Sequence, residues 1–136
     1  MKNKMIGFIG CGNMGKAMLG SLISSGEIRK ENIIVSAKTE ASKEVIEKEF
    51  AVKATNDNKE VAAKANIIFL AVKPHFFKEV ISEIKDVVSK DSIIVSIAAG
   101  ITIEQIEEYF GFAVKVIRTM PNTPALVGEG MSAICK

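Results

Sequence analysis

The stretch Lys4 to Met18, KMIGFIGCGNMGKAM, decides how the rest of the chain is read. An apolar, β-rich run from Met5 to Ile9 ends in three glycines, Gly10, Gly12 and Gly15. A helical spacing begins among them, with Met14, Ala17, Met18 and Leu22 on one face. A strand that gives way to a helix through Gly-x-Gly-x-x-Gly has two explanations. It is an ordinary tight turn, or it is a loop that cradles phosphates. Glycines at these spacings arise often by chance, so the context must arbitrate.

Beyond Met18 the same rhythm returns: a short apolar run, then a longer amphipathic segment. The runs are Ile33–Ser36, Ile67–Val72, Ser92–Ile97 and Ala113–Ile117, with Val52–Thr55 as a short extra strand. Between them, Glu44–Phe50 and Phe76–Val88 have helical spacing. In the second, Phe77, Val80, Ile81, Ile84, Val87 and Val88 mark one face. Thr102, three residues before Gln105 and followed by Ile103 and Ile106, resembles a capping box opening a helix that stops near Gly111. Strands apolar on both faces and separated by helices require a parallel sheet covered on both sides. The expected fold is α/β: a Rossmann-like, doubly wound, mainly parallel sheet in one domain over residues 1–136.

In that setting each glycine acquires a physical task. Gly10 permits the tight turn, Gly12 lets a pyrophosphate approach the backbone, and Gly15 lets helix and strand pack closely. The helix N-terminus adds unpaired N–H groups and partial positive charge. The loop therefore reads as a dinucleotide site. About 20 residues further on, an acidic side chain at the end of the second strand would grip the ribose 2′-hydroxyl of NAD. Here Ile33-Ile34-Val35 runs into Ser36-Ala37-Lys38-Thr39, and the first acid is Glu40. A polar loop could lack acid by accident, but a lysine between two hydroxyls suits a 2′-phosphate. NADP (as NADPH) is expected ahead of NAD.

Composition excludes several alternatives. Charged residues make up 25% and the formal net charge is +2, too little to argue for nucleic acid or a membrane surface. No apolar run approaches the roughly 18 to 20 residues of a membrane span. Six apolar or glycine residues before Cys11 are too few for an export-signal core, so none is expected. Cys11 and Cys135 fit no metal spacing and suggest reduced thiols in a cytoplasmic protein. The expected partner is a small molecule.

Three further stretches are unusual. In FLAVKPHFF, Phe69 to Phe77, Lys73-Pro74 follows the fourth strand at the carboxyl edge, where open α/β sheets bind ligands. Pro74 suits a first helical turn, and Lys73 reads as a cofactor contact rather than a solvated charge. His75, the only histidine, falls in that first turn and is not read as catalytic. SIAAGIT, Ser96 to Thr102, ends the fifth strand in small residues that let a flat ring approach the backbone or let a helix pack closely. RTMPNTPALVGEGM, Arg118 to Met131, is stiffened by two prolines. A rigid connector and a binding loop explain it equally well.

Together, IGFIGCGNMGKAM, FLAVKPH, IAAGIT and RTMPNTPALVGEGM closely resemble, in order and spacing, the cofactor domain of the pyrroline-5-carboxylate reductases. The first motif also looks like the opening of the β-hydroxyacid dehydrogenases; the last is the most specific. The resemblance implies an oxidoreductase that moves a hydride from NADPH or NADH to a ring C=N carbon, converting Δ1-pyrroline-5-carboxylate to L-proline and completing proline biosynthesis. It implies that Ile9, Gly10, Cys11, Gly12, Asn13 and Met14 hold the pyrophosphate. Ser36 would lie near the adenosine 2′-phosphate, with Lys38 beside it and Asn58 on the adenosine side. Val72, Lys73 and Ala99 would run towards the nicotinamide, and Met120, Pro121, Asn122 and Thr123 would edge the substrate cleft. The family also has a C-terminal helical domain that forms a homo-oligomer and binds the substrate carboxylate. That domain is expected to be absent from these residues, leaving cofactor binding without turnover. The alternatives are a non-catalytic NADP-binding module and a β-hydroxyacid dehydrogenase-like oxidoreductase domain. No catalytic residue and no metal site are assigned.

Overall fold

A computed structural model describes residues 4–10, 13–26, 28–97, 100–112, 114–119 and 134–135. Seven strands form one sheet: β1 (Ile6–Ile9), β2 (Ile33–Ser36), β3 (Lys53–Thr55), β4 (Ile67–Leu70), β5 (Ile93–Ser96), β6 (Lys115–Thr119) and β7 (Ile134–Cys135). Their order is β3-β2-β1-β4-β5-β6-β7. The first six are parallel, and β7 adds antiparallel to β6 through Arg118–Cys135 and Thr119–Ile134. The helices are α1 (Asn13–Ser25), α2 (Glu40–Phe50), α3 (Asn58–Lys64), α4 (Phe77–Ile84) and α5 (Ile103–Phe110). This is the doubly wound α/β fold, with the chain order reversing between β1 and β4.

Alternation along the strands feeds two cores. Ile9, Ile34, Ile68, Leu70 and Ile94 face one side, against Val61, Ala62, Ile81, Ile84, Ile106 and Phe110 of α3, α4 and α5. Ile6, Phe8, Ile33, Val35, Phe69 and Val95 face the other, against Met18, Leu19, Leu22 and Ile46 of α1 and α2. The rings of Phe8 and Phe69, neighbours across β1 and β4, stack with centroids 4.6 Å apart. Because both faces are covered, the strands read as continuous apolar runs even though their side chains alternate.

Caps set the helix ends. The Thr102 hydroxyl accepts from the Gln105 N–H at 3.0 Å and the Gln105 side chain accepts from the Thr102 N–H at 2.9 Å, a complete capping box. The α5 helix then closes on Gly111 at φ 78°. Thr39, read from sequence beside Ser36 and Lys38 as suited to a phosphate, is the N-cap of α2 and accepts from the Ser42 N–H at 3.1 Å. That cap starts α2 at Glu40, four residues before the expected amphipathic segment. The α4 helix ends at Ile84 rather than Val88; Val87 lies in the following turn and is 38% exposed. Pro74 opens a 3-10 turn, Pro74–Phe76, that leads into α4. Strand β6 begins at Lys115 and continues through Arg118 to Thr119, beyond the apolar run that suggested it. A strand near the sheet's margin tolerates charge on its half-exposed positions.

Strand β3 is the edge opposite β7, and ion pairs tie it to α3. Glu60 accepts from Lys53 at 2.9 Å, Lys64 at 3.0 Å and the Thr55 hydroxyl at 2.8 Å. The Lys53 hydrogen bond, followed by those of Thr55 and Lys64, lowers the Glu60 carboxyl to about 2. This network fixes the start of α3, where Asn58 is placed.

Candidate functional site

The carboxyl ends of β1, β2, β3 and β4 converge on one open cleft of about 270 Å³. Its walls are Gly10 after β1, Ser36, Ala37 and Lys38 at the end of β2, Asn56 and Asn58 after β3, Val72 after β4, and Phe76, Glu79, Val80 and Glu83 from the α4 region. The cleft thus lies beside the point where strand order reverses, at the edge where ligands bind in open α/β sheets.

Gly10 turns the chain out of β1 at φ 78°, a left-handed conformation that favours glycine. A Cβ there would stand 2.6 Å from Val72 Cγ1 and 3.2 Å from the Ala71 carbonyl oxygen. Two hydrogen bonds hold the turn's surroundings: the Gly10 N–H donates to Ser36 Oγ at 3.2 Å, and the Ala71 N–H donates to the Ile9 carbonyl at 2.9 Å. The first glycine is therefore required both by backbone conformation and by space.

Ser36 is 1% exposed and its hydroxyl is engaged twice, accepting from Gly10 and donating to Asn58 Oδ1 at 2.6 Å. Asn58, the first residue of α3, also donates through Nδ2 to Glu83 Oε2 at 3.5 Å. Asn56 ties the neighbouring strand end down, donating to the Ala37 carbonyl at 2.9 Å. Lys38 is exposed, and its ammonium lies 5.0 Å from the centre of the Phe76 ring, a cation–π contact across the cleft. The cleft therefore offers a lysine, a buried hydroxyl and two amides, with the Glu79 and Glu83 side chains on the α4 wall.

Among the residues singled out in the sequence, Gly10, Ser36, Lys38, Asn58 and Val72 come together in this cleft. Ile9 sits immediately before it, with its side chain fully buried in the core. Lys73 is exposed at the N-cap of the 3-10 turn and is not among the lining residues, and His75 is exposed beside Phe76. Asn13 and Met14 begin α1. Cys11, Gly12, Ala99, Met120, Pro121, Asn122 and Thr123 lie outside the described residues. Sequence reasoning passed over Phe76, Glu79 and Glu83. The helical period could have found the two acids, since 79 and 83 are four apart on the face that leaves Phe77 and Ile81 inward.

No group of three metal-ligating side chains occurs among the described residues. None of the described helices is long and apolar enough to cross a membrane.

A glycine turn at the head of a doubly wound sheet, opening onto a polar cleft at its carboxyl edge, defines a Rossmann-like domain. The chain belongs to the family described as NADP oxidoreductase coenzyme F420-dependent, whose model matches residues 5–100. Among curated proteins it is 48% identical over 131 residues to the pyrroline-5-carboxylate reductase of Escherichia coli, covering 96% of this chain and 49% of that protein. Among solved structures it is similar to a pyrroline-5-carboxylate reductase from Coxiella burnetii, with a TM-score of 0.86 and 35% identity over 93% of this chain and 47% of that one. It is also similar to the Plasmodium falciparum pyrroline carboxylate reductase solved with NADP bound, with a TM-score of 0.84 and 35% identity over 96% of this chain and 47% of that one. The chain spans about half the length of the curated relatives it matches.

Proposed function

We propose that these residues form the NADPH-binding half of a pyrroline-5-carboxylate reductase, a cytoplasmic enzyme that reduces the C=N bond of Δ1-pyrroline-5-carboxylate to give L-proline. The observation that carries the reading is the 48% identity, running across 96% of the chain, to a protein of that name. The cleft supports it independently, because the Gly10 turn leaves β1 at the carboxyl edge beside the reversal of strand order, where open α/β sheets bind ligands.

In this reading Ile9 to Met14 hold the pyrophosphate, while Ser36, Lys38 and Asn58 serve the adenosine end. Val72, Lys73 and Ala99 follow the cofactor towards its nicotinamide, and Met120 to Thr123 edge the substrate cleft. When bound, NADPH supplies the hydride for the C=N carbon. The chain's contribution is to bind and orient, because an imine protonated before binding needs little acid catalysis. Substrate positioning is assigned to the remainder of the full-length protein, which is expected to form a homo-oligomer. Neither nucleic acid nor membrane is a partner in this reading. With the complete gene product, oxidation of NADPH should depend on pyrroline-5-carboxylate and proceed at about 1 per second or faster. Tight NADPH binding with no substrate-dependent oxidation would overturn the enzyme reading in favour of a cofactor-binding module.

The cleft also predicts cofactor choice. Lys38 is the cation among the described residues that line it, and no carboxylate follows β2 before Glu40. NADPH should therefore bind more tightly than NADH, and Lys38→Asp should shift the preference towards NADH. A charge pair at the surface is worth about 0.2 to 1 kcal/mol, so removing an attraction and adding a repulsion should shift the preference roughly tenfold. Calorimetry with both cofactors decides; equal affinities in the unaltered chain would refute the assignment of Lys38.

A further inference from the structure

We propose that Glu83 is a positioning residue for the cofactor turn, acting through Asn58 and Ser36 rather than by touching the ligand. Three hydrogen bonds run in one direction across four elements. The Gly10 N–H donates to Ser36 Oγ at 3.2 Å, Ser36 Oγ donates to Asn58 Oδ1 at 2.6 Å, and Asn58 Nδ2 donates to Glu83 Oε2 at 3.5 Å. The direction is imposed at both ends. A backbone N–H can only donate, and an ionised carboxylate can only accept. Between them, hydroxyl and amide have one consistent arrangement.

The consequence is clearest with the Asn58 amide reversed. Ser36 Oγ would then face two donors, Gly10 N–H and Asn58 Nδ2, and its own proton would lose its acceptor. The Asn58 oxygen would meet the Glu83 carboxylate, acceptor against acceptor. Glu83 therefore selects the amide orientation that gives the Ser36 proton its acceptor and so holds the oxygen that braces Gly10 in place. This explains an acid that otherwise has no place in the wall of a cleft read as taking a polyanion. The inference rests on that reading for its effect on cofactor, but the brace itself exists without ligand.

Glu83 is exposed, so its variants should fold. Hydrogen exchange at the Gly10 amide is followed by NMR in the ligand-free chain, for Glu83→Ala, Glu83→Gln, Ser36→Ala and the Ser36→Ala/Glu83→Ala pair. Loss of one link should speed exchange in Glu83→Ala by about threefold, the effect of a modest net hydrogen bond. Glu83→Gln, which keeps an acceptor without the charge, should exchange like the unaltered chain. The double variant should exchange no faster than Ser36→Ala alone, because both changes cut one relay. In calorimetry, Glu83→Ala should weaken NADPH binding by a similar factor and Glu83→Gln should restore it. Unchanged exchange in Glu83→Ala, additive effects in the double variant, or failure of Gln to rescue would overturn the relay. So would tighter NADPH binding by Glu83→Ala, the sign of direct repulsion. Absence of NADPH binding by the unaltered chain would instead refute the cofactor reading, with the exchange data still deciding the brace.

Discussion

Replacing Gly10 by valine should reduce NADPH affinity by on the order of a hundredfold while leaving the far-UV circular dichroism nearly unchanged. Two separate costs act at this position. The backbone sits at φ 78°, where a β-branched residue is strained by roughly 1 to 3 kcal/mol. The new Cβ would also meet Val72 Cγ1 at 2.6 Å and the Ala71 carbonyl at 3.2 Å. The turn can relieve both only by moving, and its N–H then leaves Ser36 Oγ. A displacement worth about 3 kcal/mol to the bound state corresponds to about two powers of ten in the dissociation constant. The sheet should survive, because the strained residue lies after β1 rather than within it. The milder Gly10→Ala variant separates the costs: combined with Val72→Ala it loses the Cγ1 collision but keeps the positive φ. Partial recovery in the pair identifies both terms. A folded Gly10→Val variant that binds NADPH as well as the parent would show that the glycine loop is only a turn.

The same residues show which parts of the molecule were legible in advance. Strand positions could be read because the parallel sheet is covered on both faces, which turns β1, β2, β4 and β5 into unbroken apolar runs. Local hydrogen-bond chemistry was legible where both partners are near in sequence, as with Thr102 and Gln105. Thr39 is equally local, yet its capping role was not read, since a threonine after a strand suits a phosphate and a helix cap alike. The last turn before Val88 misled because apolar spacing continues after the helix itself has stopped. Glu83 was out of reach for a different reason. Its meaning depends on Asn58, Ser36 and Gly10, which stand 25, 47 and 73 positions away and meet only in the folded sheet. The site's positions along the carboxyl edge follow from topology, whereas the roles of its side chains follow from long-range packing.

That distinction has its largest structural consequence at Gly7, where a close helix–strand approach falls. Such packing was read from the sequence at Gly15, the third glycine of the loop, whereas Gly7 was treated as one member of an apolar run. In the fold a Cβ on Gly7 would stand 2.5 Å from Val61 Cγ1 and 2.8 Å from Ala65 Cβ, so β1 and α3 touch through this position. Both partners are fully packed in the core, and neither can retreat without lifting α3 from the sheet. Gly7→Ala should therefore destabilise the chain by about 1 to 3 kcal/mol, the ordinary range for forcing extra volume into a close-packed interior. Strand propensity works in the opposite direction, since alanine costs less backbone entropy than glycine, so a net loss isolates the packing term. Urea unfolding measures it, and Val61→Ala in the same chain should recover part of the loss by removing Cγ1 while the Ala65 contact persists. The effect should reach the cleft as well. Asn58 is the first residue of α3, so a helix displaced from β1 carries away the acceptor of the Ser36 hydroxyl. Gly7→Ala should thus weaken NADPH binding although Gly7 does not line the cleft, and the Val61→Ala partner should restore affinity along with stability. Full stability in Gly7→Ala would refute the close approach of α3 to β1. Lost stability with unchanged affinity would refute the coupling of α3 to the cofactor turn.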